Sequence, residues 1–265
     1  YCFGPSSDRK SPLFVFGQNA SGVVDPLDGK TVYDDGTSNF CAMVRAACRW
    51  HSESFSFQNT PYQGYAFPTK ASWGLPVEPV PVSTDSTNDA YAIVPIELNW
   101  STIGGVAYDN PTTQARVTHY PVIHARKGSM GYMLEWTPPG ATNRLSMIYS
   151  SDTKPETNSV YMACNGTNGV DVFIHEMVIP PDMWAWKQLG LSAAPTTNNP
   201  ALYETWRAAT DQLTMVQNSS HTPQGAFGYL LSQITPPPRL AVATHFPAAD
   251  DTVASAFESV KAHCP

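Results

Sequence analysis

Three apolar runs in this chain, "YPVIH", "MIYSSD" and "LAVATH", each end on one residue able to bind a metal: His124, Asp152 and His245. Side chains at the ends of adjacent strands project into one cleft, and imidazole and carboxylate are the groups that zinc and similar cations accept. Either histidine alone reads equally well as a core residue satisfied by backbone groups. Asp152, in "LSMIYSSDTKPE", reads alone as a turn or helix cap. Taken together, the three endings favour a shared cleft over three unrelated accidents.

The rest of the chain supplies strands and helices to frame that cleft. "PLFVFG", Pro12 to Gly17, is a short apolar run between Pro and Gly and predicts a buried strand. Phe40, Val44, Ala47 and Trp50 recur at helical spacing and predict an amphipathic helix from Thr37 to about Trp50. "YAIVPIELNW", "ARVTHYPVIH", "GYMLEW", "LSMIYS", "VDVFIHE" and "RLAVATHF" are strand-like, rich in β-branched and aromatic residues. Asn199 and Pro200 predict a helix start followed by Leu202, Trp206, Ala209, Leu213 and Val216, and Thr222 with Pro223 predicts a second start. "DDTVASAFESVKAH" predicts a last helix with Val253, Phe257 and Val260 inward. Strands that first cluster and then alternate with helices indicate an α/β sandwich with outer helices. One domain is expected over 1–265, with an irregular Pro-, Ser- and aromatic-rich insertion around 53–90.

Composition narrows the partners. The formal net charge is −7 with no block of Lys and Arg, which disfavours nucleic acid because phosphate backbones demand clustered cations. No apolar run is long enough to span a bilayer. Five cysteines show no metal-knuckle spacing; a disulfide or two is compatible with them, but not between Cys41 and Cys48, about 10 Å apart along one helix. Sequons at Asn19, Asn99, Asn165 and Asn218 hint at a secreted or periplasmic protein, the alternative being cytoplasmic. Trp136 in "EWTPPG" with Trp184 and Trp186 in "PPDMWAW" reads either as the wall of an apolar substrate pocket or as self-packed surface loops.

The order and context of "PVIHARKGSMGYMLEW", "IYSSDTKPE", "VDVFIHEM", "HTPQGAFGYLL" and "LAVATHF" resemble the metallo-β-lactamase fold superfamily, in its ribonuclease Z-like branch. The resemblance spans Pro12 to about Val260 and is weakest over 53–110. It implies an α/β fold, an αββα sandwich incomplete at its N-terminus, and a zinc centre of one or two ions. His124 then completes the first metal site, Asp152 bridges both metals and His245 binds the second. Glu176 and His221 match positions that assist proton transfer to the leaving group, while His175 is read as structural. His51, His119 and His263 match nothing in the family and are read as surface or packing residues.

The resemblance further implies a metal-dependent hydrolase in which a metal-bridged hydroxide attacks an ester, amide, lactone or phosphodiester bond. The branch points to RNA 3′-end cleavage, but the acidic balance favours a small-molecule substrate. One departure stands out: the family's HxHxDH motif is absent. An upstream segment or separate chain carrying it is therefore expected as a partner, with weak or no metal binding by these residues alone and an exposed apolar sheet face. The rival expectation is a catalytically inactive member serving as a binding or structural protein. A homo-oligomer is compatible with either.

Overall fold

The apolar run after Pro12 forms a strand, β1 (Leu13–Gln18), that pairs in parallel with β2 (Ile93–Leu98), Leu13 opposite Ile93 and Gln18 opposite Leu98. The computed structural model describes residues 13–44, 93–165, 169–246 and 250–264. The chain divides into two compact units, Tyr1–Asn99 and Trp100–Pro265. The expected irregular stretch at 53–90 lies outside the described residues, as do Ala47, Trp50, His51, Cys2 and Cys48.

In the first unit, residues 37–44 form a helix, α1. Its first turn is held by side chains: the Thr37 hydroxyl donates to Gln18 O at 2.9 Å, and Glu97 accepts from Ser38 N at 3.0 Å. The carboxylate on the end of β2 satisfies an N–H that a helix start leaves without a partner. Cys41 is buried, and Cys41, Cys164 and Cys264 are free thiols.

The second unit is built on a six-stranded mixed sheet ordered β3 (Gly105–Asn110), β4 (Ala115–Pro121), β5 (Met130–Trp136), β6 (Leu145–Tyr149), β7 (Val172–Glu176) and β8 (Leu240–Thr244). β3 to β6 form an antiparallel meander, and β6, β7 and β8 are parallel. Five helices complete the unit among the described residues: α2 (Thr157–Asn165), α3 (Pro181–Gln188), α4 (Pro200–Ser220), α5 (Gln224–Gln233) and α6 (Asp250–His263). The architecture is thus α/β.

Strand alternation sorts the side chains between two faces. Tyr120, Met133, Ile148 and Phe173 point to one face, where Met162 and Ala163 of α2, Phe227 of α5 and Ala256 of α6 pack on them as the core. Gly131 lies opposite Tyr120, and a β-carbon there would stand 2.5 Å from the phenol ring, so glycine is what lets that ring lie flat in the core. On the other face Leu134, Trp136, Leu145, Met147, Tyr149, Val172 and Leu240 form an apolar surface. Trp136, Leu145, Tyr149 and Leu240 on it are 39% to 54% exposed.

Several local expectations are corrected. Pro223 is the N-cap of α5 and Gln224 its first residue, with no side-chain cap. Thr222 is buried and used elsewhere. In α6 the inward residues are Thr252 and Ala256, at 0% and 3% exposure, while Val253 and Phe257 are exposed; the small residues approach the sheet and the large ones are left outside. β3, α2 and α3 were not anticipated. Asn199 caps α4 as expected, its Oδ1 accepting from Leu202 N at 3.3 Å with Pro200 in the first turn.

These placements make opposite forecasts for two phenylalanines. Phe173→Ala is expected to lower unfolding free energy in urea titration by about 3–5 kcal/mol, and Phe257→Ser to change it by no more than about 0.5 kcal/mol.

Candidate metal centre

Strand direction decides where the polar endings meet. β4 and β6 are each antiparallel to β5, and β7 and β8 follow β6 in parallel. β4, β6, β7 and β8 therefore finish at one edge of the sheet, the carboxyl edge at which open α/β sheets place their ligands. His124 lies in the loop beyond β4, Asp152 in the loop beyond β6, Glu176 ends β7 and His245 directly follows β8. His221 joins them as the C-cap residue of α4.

All five candidate side chains are drawn into one cluster. His221 Nδ1 is 2.7 Å from Glu176 Oε2, and His245 Nδ1 is 3.8 Å from Asp152 Oδ2. The His221 ring stacks on His245 at 5.2 Å and meets His124 edge-on at 5.3 Å. Glu176, His221 and His245 each offer a ligand atom within 4.8 Å of the others, so this group could hold a metal ion. His124 and Asp152, two of the three ligands that the sequence suggested, stand beside that group rather than inside it. Exposure grades across the cluster: Glu176 is fully buried, His221 nearly so, and the side chains of Asp152 and His245 are more than 40% open to solvent.

Thr153, the residue after Asp152, ties the contributing loops together. Its N–H donates to Glu176 Oε1 at 2.5 Å, and its carbonyl accepts from the Thr222 hydroxyl at 2.7 Å. Its own hydroxyl accepts from Ile123 N at 3.1 Å and lies 3.1 Å from Ile123 O, while Lys154 N donates to Ile123 O at 2.7 Å. Asn158 adds a bond to Pro121 O at 2.9 Å. The loop carrying His124 is thereby laced to the loop carrying Asp152, and both are fixed to Glu176 and to the residue following His221. None of these partners announces itself in the sequence; the single signal is that Thr153 adjoins a candidate ligand.

Two residues of the cluster's loops adopt left-handed backbone, Ser151 at φ 62° and His245 at φ 56°. A side chain bearing a β-carbon is disfavoured there, and such residues persist where the surroundings over-determine them.

Burial sets the protonation of the inner groups. Desolvation raises the Glu176 carboxyl to about 8, with the negative Asp152 adding to the rise while backbone N–H groups of Thr153 and Thr222 oppose it. Desolvation also lowers His221, against the pull of Asp152. Each shift favours the neutral form, so the hydrogen-bonded pair holds a proton between carboxyl and imidazole near neutrality. His124 is lowered by burial first and then by His221. Its Nε2 is buried with no hydrogen-bond partner.

The three tryptophans do not converge. Trp136 lines a groove of about 420 Å³ with Leu134, Leu145, Met147, Val172 and Leu240, at the sheet edge opposite the cluster. Trp184 and Trp186 lie on α3, Trp186 beneath the Lys187 ammonium at 4.7 Å. His119 is buried against Gly105, in keeping with a packing role. His263, also read as an ordinary residue, bonds Ser259 O within its own helix.

The chain matches no family model and no curated protein. The functional reading therefore rests on the geometry above and on the motifs quoted from the sequence.

Two measurements probe this site without a ligand. Ser151→Gly relieves the left-handed β-carbon and is expected to raise stability by about 1 kcal/mol. His175, fully buried, is lowered by desolvation to about 3, whereas unfolded imidazole titrates near 6.5. The unfolded chain then binds the extra proton, and stability falls as pH drops from about 6.5 toward 3. His175→Phe should flatten that acid limb, by up to about 3 kcal/mol at pH 4; parallel profiles would show that the ring is not held neutral.

Proposed function

We propose that this chain is a metal-dependent hydrolase of metallo-β-lactamase-like fold that acts on a small molecule. The observation that supports it most is the convergence of His124, Asp152, Glu176, His221 and His245 at one carboxyl edge of the sheet. The donor set fits a divalent cation such as zinc: three imidazoles and two carboxylates, with the buried Nε2 of His124 lacking any other partner. His245 belongs both to the group that meets within 4.8 Å and to the set implied by the resemblance. With Asp152 and His124 it would hold the metal.

Glu176 is better suited to another task. One of its oxygens accepts from Thr153 and the other bonds His221, which places it to orient the imidazole. The pair keeps a proton on the Nδ1 to Oε2 line, poised for delivery to a leaving group through His221. The cation supplies Lewis acidity for the bond that is cleaved. The half-open Asp152 and His245 side form the approach for substrate.

The apolar face of the six-stranded sheet, on which Trp136, Leu145, Tyr149 and Leu240 are exposed, supports the sandwich reading, since a sheet packed on a second sheet presents such a face. The net charge of −7 disfavours RNA as substrate and favours a small ester, lactone, amide or phosphodiester. Exposed sequon asparagines at 99, 165 and 218 are compatible with a secreted or periplasmic protein.

The decisive experiment is hydrolysis of a panel of nitrophenyl esters, lactones and bis(nitrophenyl) phosphate by this chain with added zinc or manganese. Activity is expected, and Asp152→Ala or His245→Ala should lower kcat by about 10³-fold or more. Activity unchanged by Asp152→Ala would favour a binding protein.

A further inference from the structure

β7 delivers adjacent residues to opposite sides of the sheet: Glu176 to the cluster, and His175 to the helix-covered face. His175 is 0% exposed and stacks on Phe173 at 5.5 Å and on Phe227 at 6.0 Å. Its Nε2 is 3.0 Å from the Thr222 hydroxyl. That hydroxyl has one proton, and the proton is committed to the Thr153 carbonyl at 2.7 Å, because a carbonyl only accepts. Toward His175 the hydroxyl must therefore accept, which requires a proton on Nε2. The ring is consequently the Nε2–H tautomer, and its bare Nδ1 is buried with no partner.

A phenylalanine would fill the same stack without an unpaired buried nitrogen, which is unfavourable. The imidazole is explained by what its donor does. Thr222 lies between His221 and the start of α5, and its carbonyl accepts from Val178 N at 3.0 Å. We propose that His175 is a positioning residue: by donating to Thr222 it holds that hydroxyl on the Thr153 carbonyl and so sets the spacing between the Asp152 loop and His221. The consequence for turnover rests on the hydrolase reading, whereas the geometry stands without it.

Long-range nitrogen–proton NMR of the imidazoles at pH 7 tests the first half on the unmodified chain. The Nε2–H tautomer is expected at His175, and the Nδ1–H tautomer would overturn the proposal whether or not any variant folds. His175→Phe keeps the stack and removes the donor; His175→Gln restores an N–H near the Nε2 position, and His175→Asn does not reach it. His221 and His245 ring resonances are expected to move in the Phe and Asn variants and to return in the Gln variant. Unmoved resonances in folded His175→Phe, or no recovery in folded His175→Gln, would overturn it. Thr222→Val should shift the same resonances, and combining it with His175→Phe should add little; full additivity counts against the chain of bonds. If the chain proves hydrolytic, the Phe variant is expected to lower kcat about 10- to 100-fold with KM little changed. If no substrate is turned over, the NMR outcomes still decide the proposal, and only the hydrolase reading falls.

Discussion

The backbone of Thr153 is the constraint on which the cluster depends. Its N–H and its carbonyl face in different directions, one held by a buried carboxylate and the other by a buried hydroxyl, while its side chain seals the loop beyond β4. One residue thus fixes four chain segments that are distant in sequence. An exposed turn could tolerate the loss of any one of these bonds to water. Here Thr153 and Thr222 are fully buried, so each lost bond leaves a polar group without solvent to replace its partner.

The cluster combines a dry floor with a wet rim. Glu176 at the bottom is surrounded by donors and held close to neutrality by burial, whereas Asp152 and His245 at the top face solvent. That gradient separates two tasks physically. A proton is best stored where water cannot exchange it freely, and charged ligands are best kept where a cation and a substrate can reach them. The left-handed backbone at Ser151 and His245 lies on the rim, where loops leave the sheet and the side chains must turn back over its edge.

Much of the site was legible because strand ends carry their own signal. An apolar run stopping at His124, Asp152 or His245 marks both the strand and its exit, whereas Glu176 and His221 entered only through the resemblance. The phase of helices was less legible. α6 turns Thr252 and Ala256 inward, since close approach to the sheet selects small residues, and a count of large apolar positions picks the wrong stripe. Glu156, the residue just before α2, accepts from Asn158 N and Ser159 N with its carboxylate, in place of the short side chains usual at that position. Thr222 resembled a cap and is instead a buried link between loops, a role that only tertiary contact can assign. The Trp136, Trp184 and Trp186 side chains shared a composition but not a location.

The order in which the strands join the sheet has a bearing on time. β3 to β6 are chain neighbours paired in a meander, which can zip up through short loops. β8 arrives only after α3, α4 and α5 and pairs with β7 alone, as the outermost strand. Closing that long loop is slower, and an edge strand with one neighbour is among the first to open in local fluctuations. His245 directly follows β8, so its place in the cluster depends on that outermost strand staying paired. Fraying of β8 would therefore withdraw His245 from the cluster while the meander from β3 to β6 stays paired.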